Sequence, residues 1–328
     1  MRRRELLRVL GGAPFLAADP AFSATAKRPN VLFVVIDDLN KDLDNGLAPI
    51  HASHYARLAR RGVRFERAYC QCPLCNPSRV SLLSGLYPTT TQVLDNITPP
   101  RYTLRDYVTL PQYLRAHGYR TAYAGKISHL ADPASWEENL PPPATEKAKS
   151  FNYWMDPVGP RNADIADNTV VVIICDNGFH LGQKGMWAKM TLFESSARVP
   201  LIIADPRKNS GGSACPAMVE LVDLYPTLVE LCGRAAPPPL EGQSLVRFLD
   251  DPQGTWEREA FTVMLRHGKL AKSIRTVRWR FTEWDEGRRG TELYDHDRDP
   301  NEMRNLASRR EYAATVADLK RRLRALRL

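Results

Sequence analysis

The sequence predicts an α/β protein: a doubly wound, mostly parallel sheet with helices on both faces, followed by a small antiparallel C-terminal subdomain. Three observations lead there. Continuous β-branched runs, "NVLFVVIDD" (30–38) and "DNTVVVIICDNG" (167–178), read as strands buried on both faces. They alternate with amphipathic segments closed by glycine, the grammar of a layered α/β domain. From about Phe261 the pattern changes to a period of two, as antiparallel strands require.

The elements follow in order. "HYARLARRGVRFERAYC" predicts a helix through Arg61, a stop at Gly62 and a short strand. Asn76 and Pro77 predict a helix start, with Asn as N-cap and Pro at the first helical position, and "SRVSLLSG" runs on to a stop at Gly85. "TLPQYLRAHGYRTAYAGK" repeats helix, Gly118 and strand. "VPLIIADP" (199–206) is a third clear strand, and "VELVDLYPTLVELCG" reads as a helix interrupted by Pro226. "FTVMLRHGKLAKSIRTVRWRFTEWDEG" alternates in strand fashion, and 308–328 reads as a closing helix. "LPPPATEKAKS" (140–150) is a Pro-rich, charged loop. The expected division is an export signal at 1–26, a catalytic domain at 27–255 and a C-terminal subdomain at 256–328.

The 328 residues are 43% hydrophobic and 25% charged, an ordinary globular composition. Beyond the N-terminus no apolar run is long enough to span a bilayer, so the chain is not expected to be integral to a membrane. Arginines 2, 3, 4 and 8 precede a mildly apolar stretch that ends at Ala24-Thr25-Ala26, an A-x-A cleavage signal. This predicts export to the periplasm or outside the cell, with the Arg pair leaning towards the twin-arginine route; a disordered basic tail is the other reading. The net charge of +9 concentrates at the two ends. The basic C-terminal helix reads as a solvated face that can attract anionic polymers. Without aromatic-basic interleaving or a known module, no nucleic-acid partner is expected.

Two strands end in acid or amide: Asp37-Asp38 and Asp176-Asn177. In an open α/β sheet, ligands bind beyond the C-terminal ends of the strands. Carboxylates crowded there repel one another unless a cation joins them, and carboxylate and amide oxygens suit Ca²⁺ or, less well, Mg²⁺. Helix capping by Asp38 or Asp176 is the plainer alternative.

"CQCPLC" (70–75) places three of the six cysteines within six residues. Zinc needs four ligands, and no second cluster accompanies these three. Cys75 falls beside a helix N-terminus, where free N–H groups and the helix dipole favour an anion, and Arg79 adds a fixed positive charge to the same first turn.

Cys75-Asn76-Pro77-Ser78-Arg79 followed by "VSLLSG" resembles the sulfatase signature, in which the cysteine is oxidised to formylglycine. "RPNVLFVVIDDLN", "YAGKISH", "CDNGFHLGQKGMWAKMTLFESSARVPLII" and "ELYDHDRDPNEMRNLA" extend the resemblance over nearly all of the chain from Arg28. The likeness is strongest to the iduronate-2-sulfatase branch of this alkaline phosphatase superfamily group.

The resemblance implies hydrolysis of sulfate esters, on a sulfated sugar or glycan. The formylglycine hydrate at Cys75 would be the nucleophile, and Asp37, Asp38, Cys75, Asp176 and Asn177 would hold Ca²⁺. Arg79, Lys126 and Lys189 would hold the sulfate, and His129 would orient the hydrate or relay a proton. A formylglycine-forming maturation enzyme is the implied partner. Asn177 stands where that branch has His, and Asn is a competent oxygen ligand.

Only 37 residues separate His129 from Asp167, where the family has a longer segment with a Lys-Pro-His element. That shortening keeps a second reading open, a catalytically weak or inactive relative that binds sulfated glycans. A phosphate-ester hydrolase of the same superfamily is opposed by cysteine at the nucleophile position. Cys70 and Cys72 remain either buried thiols or partners of a disulfide.

Overall fold

The computed structural model describes residues 28–41, 52–130, 132–140 and 167–325. The export signal at 1–26 and most of the shortened segment between 130 and 167 lie outside the described residues.

The strands are β1 (Asn30–Ile36), β2 (Val63–Tyr69), β3 (Ala122–Ala124), β4 (Glu138–Leu140), β5 (Thr169–Cys175), β6 (Arg198–Val199), β7 (Leu201–Ala204) and β8 (Ser213–Glu220), then β9 (Ala260–Arg266), β10 (Lys269–Arg275), β11 (Trp279–Trp284) and β12 (Thr291–Asp295). The main sheet runs β1-β5-β7-β2-β6, with β8 also paired to β2. Its polarity is mixed rather than mostly parallel. β1 with β5 and β2 with β8 are parallel pairs, while β7 is antiparallel to both β5 and β2. β3 and β4 form a separate two-stranded parallel pair.

Helices cover both faces, as the sequence predicts. On one side lies α1 (Ser53–Ala59), whose Tyr55 packs with Ile173 and Ile202. On the other side lie α2 (Cys75–Ser84), α3 (Leu110–Ala116), α4 (Leu224–Leu231) and α5 (Val246–Asp250). Their Leu82, Leu114, Leu228 and Phe248 meet Val172, Ile174, Leu201 and Ile203 in the main core. Odd and even positions of β5 thus serve different layers, and for this reason the strand is apolar throughout.

Three local expectations change. β1 is only half-buried among the described residues, because it is the terminal strand of the sheet, and Leu32 is 52% exposed. The segment read as a helix around Val219 begins as a strand: Val219 and Glu220 pair with Ala68 and Tyr69, and the helix starts only at Leu224. Sheet pairing overrides a helical pattern where β-branched residues can join a ladder. α2 begins at Cys75 with Leu74 as N-cap, not at Asn76-Pro77. Asn76 Nδ2 donates instead to the carbonyls of Asp95 and Thr98, and Pro77 is tolerated inside the first turn because its missing N–H would have no helical partner there. Gly85 closes α2 in the left-handed region (φ 68°), as expected.

The C-terminal antiparallel sheet runs β12-β11-β10-β9. One face, with Phe261, Ile274, Phe281 and Leu293, packs on Leu319 and Leu323 of α6 (Ala313–Ala325). The closing basic helix is therefore amphipathic, with its leucines inside. The other face of the sheet lies on the main domain: Ala260 packs with Tyr69 and Ala197, and Thr262 Oγ1 donates to the Cys70 carbonyl.

Candidate active site

The parallel register of β1 and β5 builds the site. Ile36 is the partner of Cys175, so Asp37-Asp38 and Asp176-Asn177 leave the sheet side by side. Asp38 turns the chain sharply with φ 58°, a conformation uncommon outside glycine, while Asn177 Nδ2 donates to Asp38 Oδ1 at 2.7 Å. Gly178 follows because nothing larger fits: an added Cβ would lie 2.2 Å from the Ser195 carbonyl oxygen.

α2 delivers its first residue to this edge. Cys75 Sγ lies 3.3 Å from Asp37 Oδ1, and Cys75, Asp37 and Asp38 bring their ligand atoms within 4.8 Å of one another. Ser78 Oγ donates to the Asp176 carbonyl, pinning the first turn of α2 to the end of β5. Burial and the neighbouring carboxylates push the Cys75 thiol up, against the pull of Lys189. In this thiol form Cys75 is no ready nucleophile.

Arg79 is only 1% exposed. Its Nε donates to Asp176 Oδ2 at 2.7 Å, one terminal nitrogen donates to Asp37 Oδ1 at 3.1 Å, and the other meets the Lys126 carbonyl. The guanidinium lies beneath the carboxylates and orients them; sequence reading expected it on the sulfate. Asp37 and Asp176 respond in opposite directions. Burial raises both, but the hydrogen bond from Lys126 and the Arg79 charge hold Asp37 well below the ordinary range. Asp176 is fully buried beside Asp37 and is raised.

The two lysines come from separate loops. Lys126, in the turn after β3, places Nζ 2.9 and 3.0 Å from the Asp37 oxygens. Lys189, in the loop after β5, places Nζ 2.5 Å from Asp38 Oδ1 and 2.7 Å from Cys75 Sγ. His129 stands in the same field. Burial, then the charges of Lys126 and Arg79, lower its pKa, so the imidazole is neutral near pH 7, and its Nδ1 is buried without a partner among the described residues. All nine residues singled out in the sequence therefore converge at one edge of the sheet.

The donor set fits a hard divalent cation. Asp37 and Asp38 bring their oxygens together, Asp176 lies beside Asp37, and among the described residues Asn177 Oδ1 is buried with no hydrogen-bond partner. A buried amide oxygen left unpaired is a ligand in want of a cation. The three cations Arg79, Lys126 and Lys189 balance the charge of Asp37, Asp38 and Asp176.

Sequence reasoning missed the supports. Asn96 Oδ1 accepts the Asn76 N–H at 3.0 Å, bringing the loop after Val93 to the mouth of the site. The Lys189 loop is held by a buried network in which Arg280 joins Glu194 and Glu302, with His296 3.0 Å from Glu302 and Tyr69 2.9 Å from Glu194. Both supports depend on contacts such as Asn76–Asn96 and Glu194–Arg280, 20 and 86 positions apart, so no local pattern announces them. All six cysteines are free and buried, which resolves Cys70 and Cys72 as thiols here.

An α/β sheet carrying acids, a modifiable cysteine and lysines at one strand edge has the layout of an ester hydrolase that works on an anion. The sequence profile described as Sulfatase matches residues 29–156, and that described as N-sulphoglucosamine sulphohydrolase, C-terminal, matches residues 182–328. A sulfatase of Formosa agariphila is 24% identical over 441 aligned positions, covering 89% of this chain and 86% of that protein. Since the alignment is longer than this chain, that relative carries residues with no counterpart here. Human iduronate 2-sulfatase is 30% identical over 161 positions, 46% of this chain but only 29% of that protein. In fold, the chain matches a protein solved in complex with its substrate D-glucosamine-2-N,6-O-disulfate, with a TM-score of 0.76, 18% identity, and coverage of 91% of this chain and 97% of that one. The chain belongs to the sulfatase family. It is an enzyme of the sulfuric ester hydrolase class.

Proposed function

We propose that this protein hydrolyses sulfate esters on a sulfated sugar or glycan, using a formylglycine made from Cys75 and Ca²⁺ held by Asp37, Asp38, Asp176 and Asn177. The observation that carries the reading is the meeting of Cys75 Sγ with Asp37, Asp38 and Lys189 at the end of β1 and β5. The sugar preference is drawn from the relatives, among them an N-acetylglucosamine-6-O-sulfatase of Bacteroides thetaiotaomicron and the iduronate 2-sulfatases. With it we propose the expected division into a catalytic unit to residue 255 and a C-terminal subdomain from 256. Export and a formylglycine-forming enzyme as partner belong to the same proposal.

A bound divalent cation supplies Lewis acidity towards a sulfate oxygen and lowers the pKa of a hydroxyl beside it. The hydrated aldehyde of residue 75 offers that hydroxyl at the position of the present sulfur. Asp37 and Asp38 now hold the two lysines. Were Asp37 and Asp38 to hold the cation, Lys126 and Lys189 would be free to bind sulfate oxygens, where charge grows in the transition state. Arg79 stays with Asp176 and Asp37 and keeps the carboxylates oriented. His129, neutral and with a free ring nitrogen, is suited to hold or move a proton at the hydrate.

The test combines mass spectrometry with turnover. After co-expression with a formylglycine-forming enzyme, the peptide containing residue 75 is expected to carry the aldehyde, and the protein to cleave a small aryl sulfate that Cys75→Ala leaves intact. An aldehyde-bearing protein with no turnover, which still retains sulfated oligosaccharides, would make it a binding protein instead.

A further inference from the structure

The exposed end of the C-terminal sheet lies next to the Lys189 loop, and nothing in the chemistry above uses it. Met190 and Leu192 pack against Met264, Ala271 and Trp284. Met264 and Ala271 are register partners on β9 and β10, and so are Arg266 and Lys269 two residues further on. With a strand period of two, all four side chains share the face that lies on the main domain. Arg266 and Lys269 therefore continue the row by about 7 Å past the Met264–Ala271 pair, to the turn that ends the hairpin, with Arg266 exposed and Lys269 half-exposed.

The hairpin is built to hold that pair. His267 (φ 50°) and Gly268 (φ 70°) form a two-residue turn with both central residues in the left-handed region, the geometry that best matches the twist of the strands. Arg266 is exposed and has no ion pair among the described residues. Lys269 shares Asp285 with Arg288, at 3.5 and 2.8 Å, and Arg288 also meets Glu286. Arg289 adds another exposed guanidinium. Lys269 and Arg288 are thus paired with Asp285 and Glu286, while Arg266 and Arg289 have no ion pair among the described residues.

We propose that Arg266 and Lys269 form an anion subsite for a second charged group, sulfate or carboxylate, on the glycan whose sulfate ester occupies the Lys126–Lys189 site. This rests on the sulfatase reading above and adds a substrate class to it: sugars with two or more anionic groups. Long side chains on a rigid turn gain by complementarity and lose by screening, so the effect falls with salt.

The test is calorimetric binding to the full chain with three probes: a disulfated disaccharide, a monosulfated disaccharide with a uronate, and a monosulfated disaccharide without one. Replacing both residues (Arg266→Ala with Lys269→Ala) is expected to weaken the first probe about tenfold, and to leave the third unchanged. The second probe follows the first if carboxylate is recognised, and the third if only sulfate is. Arg266→Lys keeps most of the affinity. Equal affinities of wild type and variant for the disulfated probe, or no binding of it by the wild type, overturn the subsite. Aryl sulfate turnover, measured on the same preparations, reports separately on the sulfatase reading, because that small monoanion has no second charged group.

Discussion

The Lys189 ammonium lies 2.7 Å from the Cys75 sulfur and 2.5 Å from Asp38 Oδ1, so one cation bridges the first residue of α2 and the carboxylate at the end of β1. Burial alone would lower its pKa, yet the Asp38 and Cys75 contacts raise it above the ordinary lysine value. The lysine is thus held in its charged form. Lys189→Ala is expected to lower kcat/KM for an aryl sulfate by about 10²–10³, the usual effect of removing one preorganised donor from developing charge. Steady-state kinetics on the aldehyde-bearing variant checks it, and a loss below threefold would remove Lys189 from the sulfate site.

Calcium should stabilise the fold through Asp37, Asp38, Asp176 and Asn177. Binding only the native state at a hundred times Kd adds about 2.7 kcal/mol. Added Ca²⁺ is expected to raise Tm by several degrees in the wild type and not at all in Asp38→Ala. A rise of the same size in that variant would place the ion elsewhere.

Removing Arg79 leaves Asp176 buried without its partner. Arg79→Ala is expected to destabilise the protein by about 3–5 kcal/mol, as for other broken buried pairs. Arg79→Lys should recover little, since a single ammonium cannot reach Asp176, Asp37 and the Lys126 carbonyl together. Urea denaturation measures both. A loss under 1 kcal/mol in Arg79→Ala would mean that the guanidinium is not what holds the carboxylates.

The Glu194–Arg280–Glu302 network predicts how stability responds to acid. Burial raises Glu194, but Arg275 and Arg280 outweigh it and hold the carboxyl well below its ordinary value of 4.5; Glu302 is lowered by Arg280 and His296 in the same way. A carboxylate with a depressed native pKa contributes stability that is full above the unfolded value and drains away as pH falls through the native one. Tm is therefore expected to drop below about pH 4.5, and Glu302→Gln to flatten part of that drop while lowering Tm at neutral pH. Parallel acid limbs in the two proteins would show that the network does not set the acid response.

The fold class, the strand ends and the nine residues that meet at one sheet edge were legible in the sequence, for a physical reason. A strand buried on both faces must be continuously apolar, so the abrupt acids after Ile36 and Cys175 stand out locally, as does the Cys-x-Pro-x-Arg turn. Tertiary structure alone decided what those residues do to one another. The β1–β5 register set Asp37 beside Asp176, and the buried Arg79 then joined the two carboxylates and the Lys126 carbonyl. It also decided that Val219–Glu220 is strand and that the sheet is mixed, because pairing partners over a hundred residues away outweigh local propensity. The Arg266–Lys269 hairpin was legible as alternation, but its place beside Lys189 came only from the docking of Met264 and Ala271 on Met190, a contact between distant residues that no local pattern encodes.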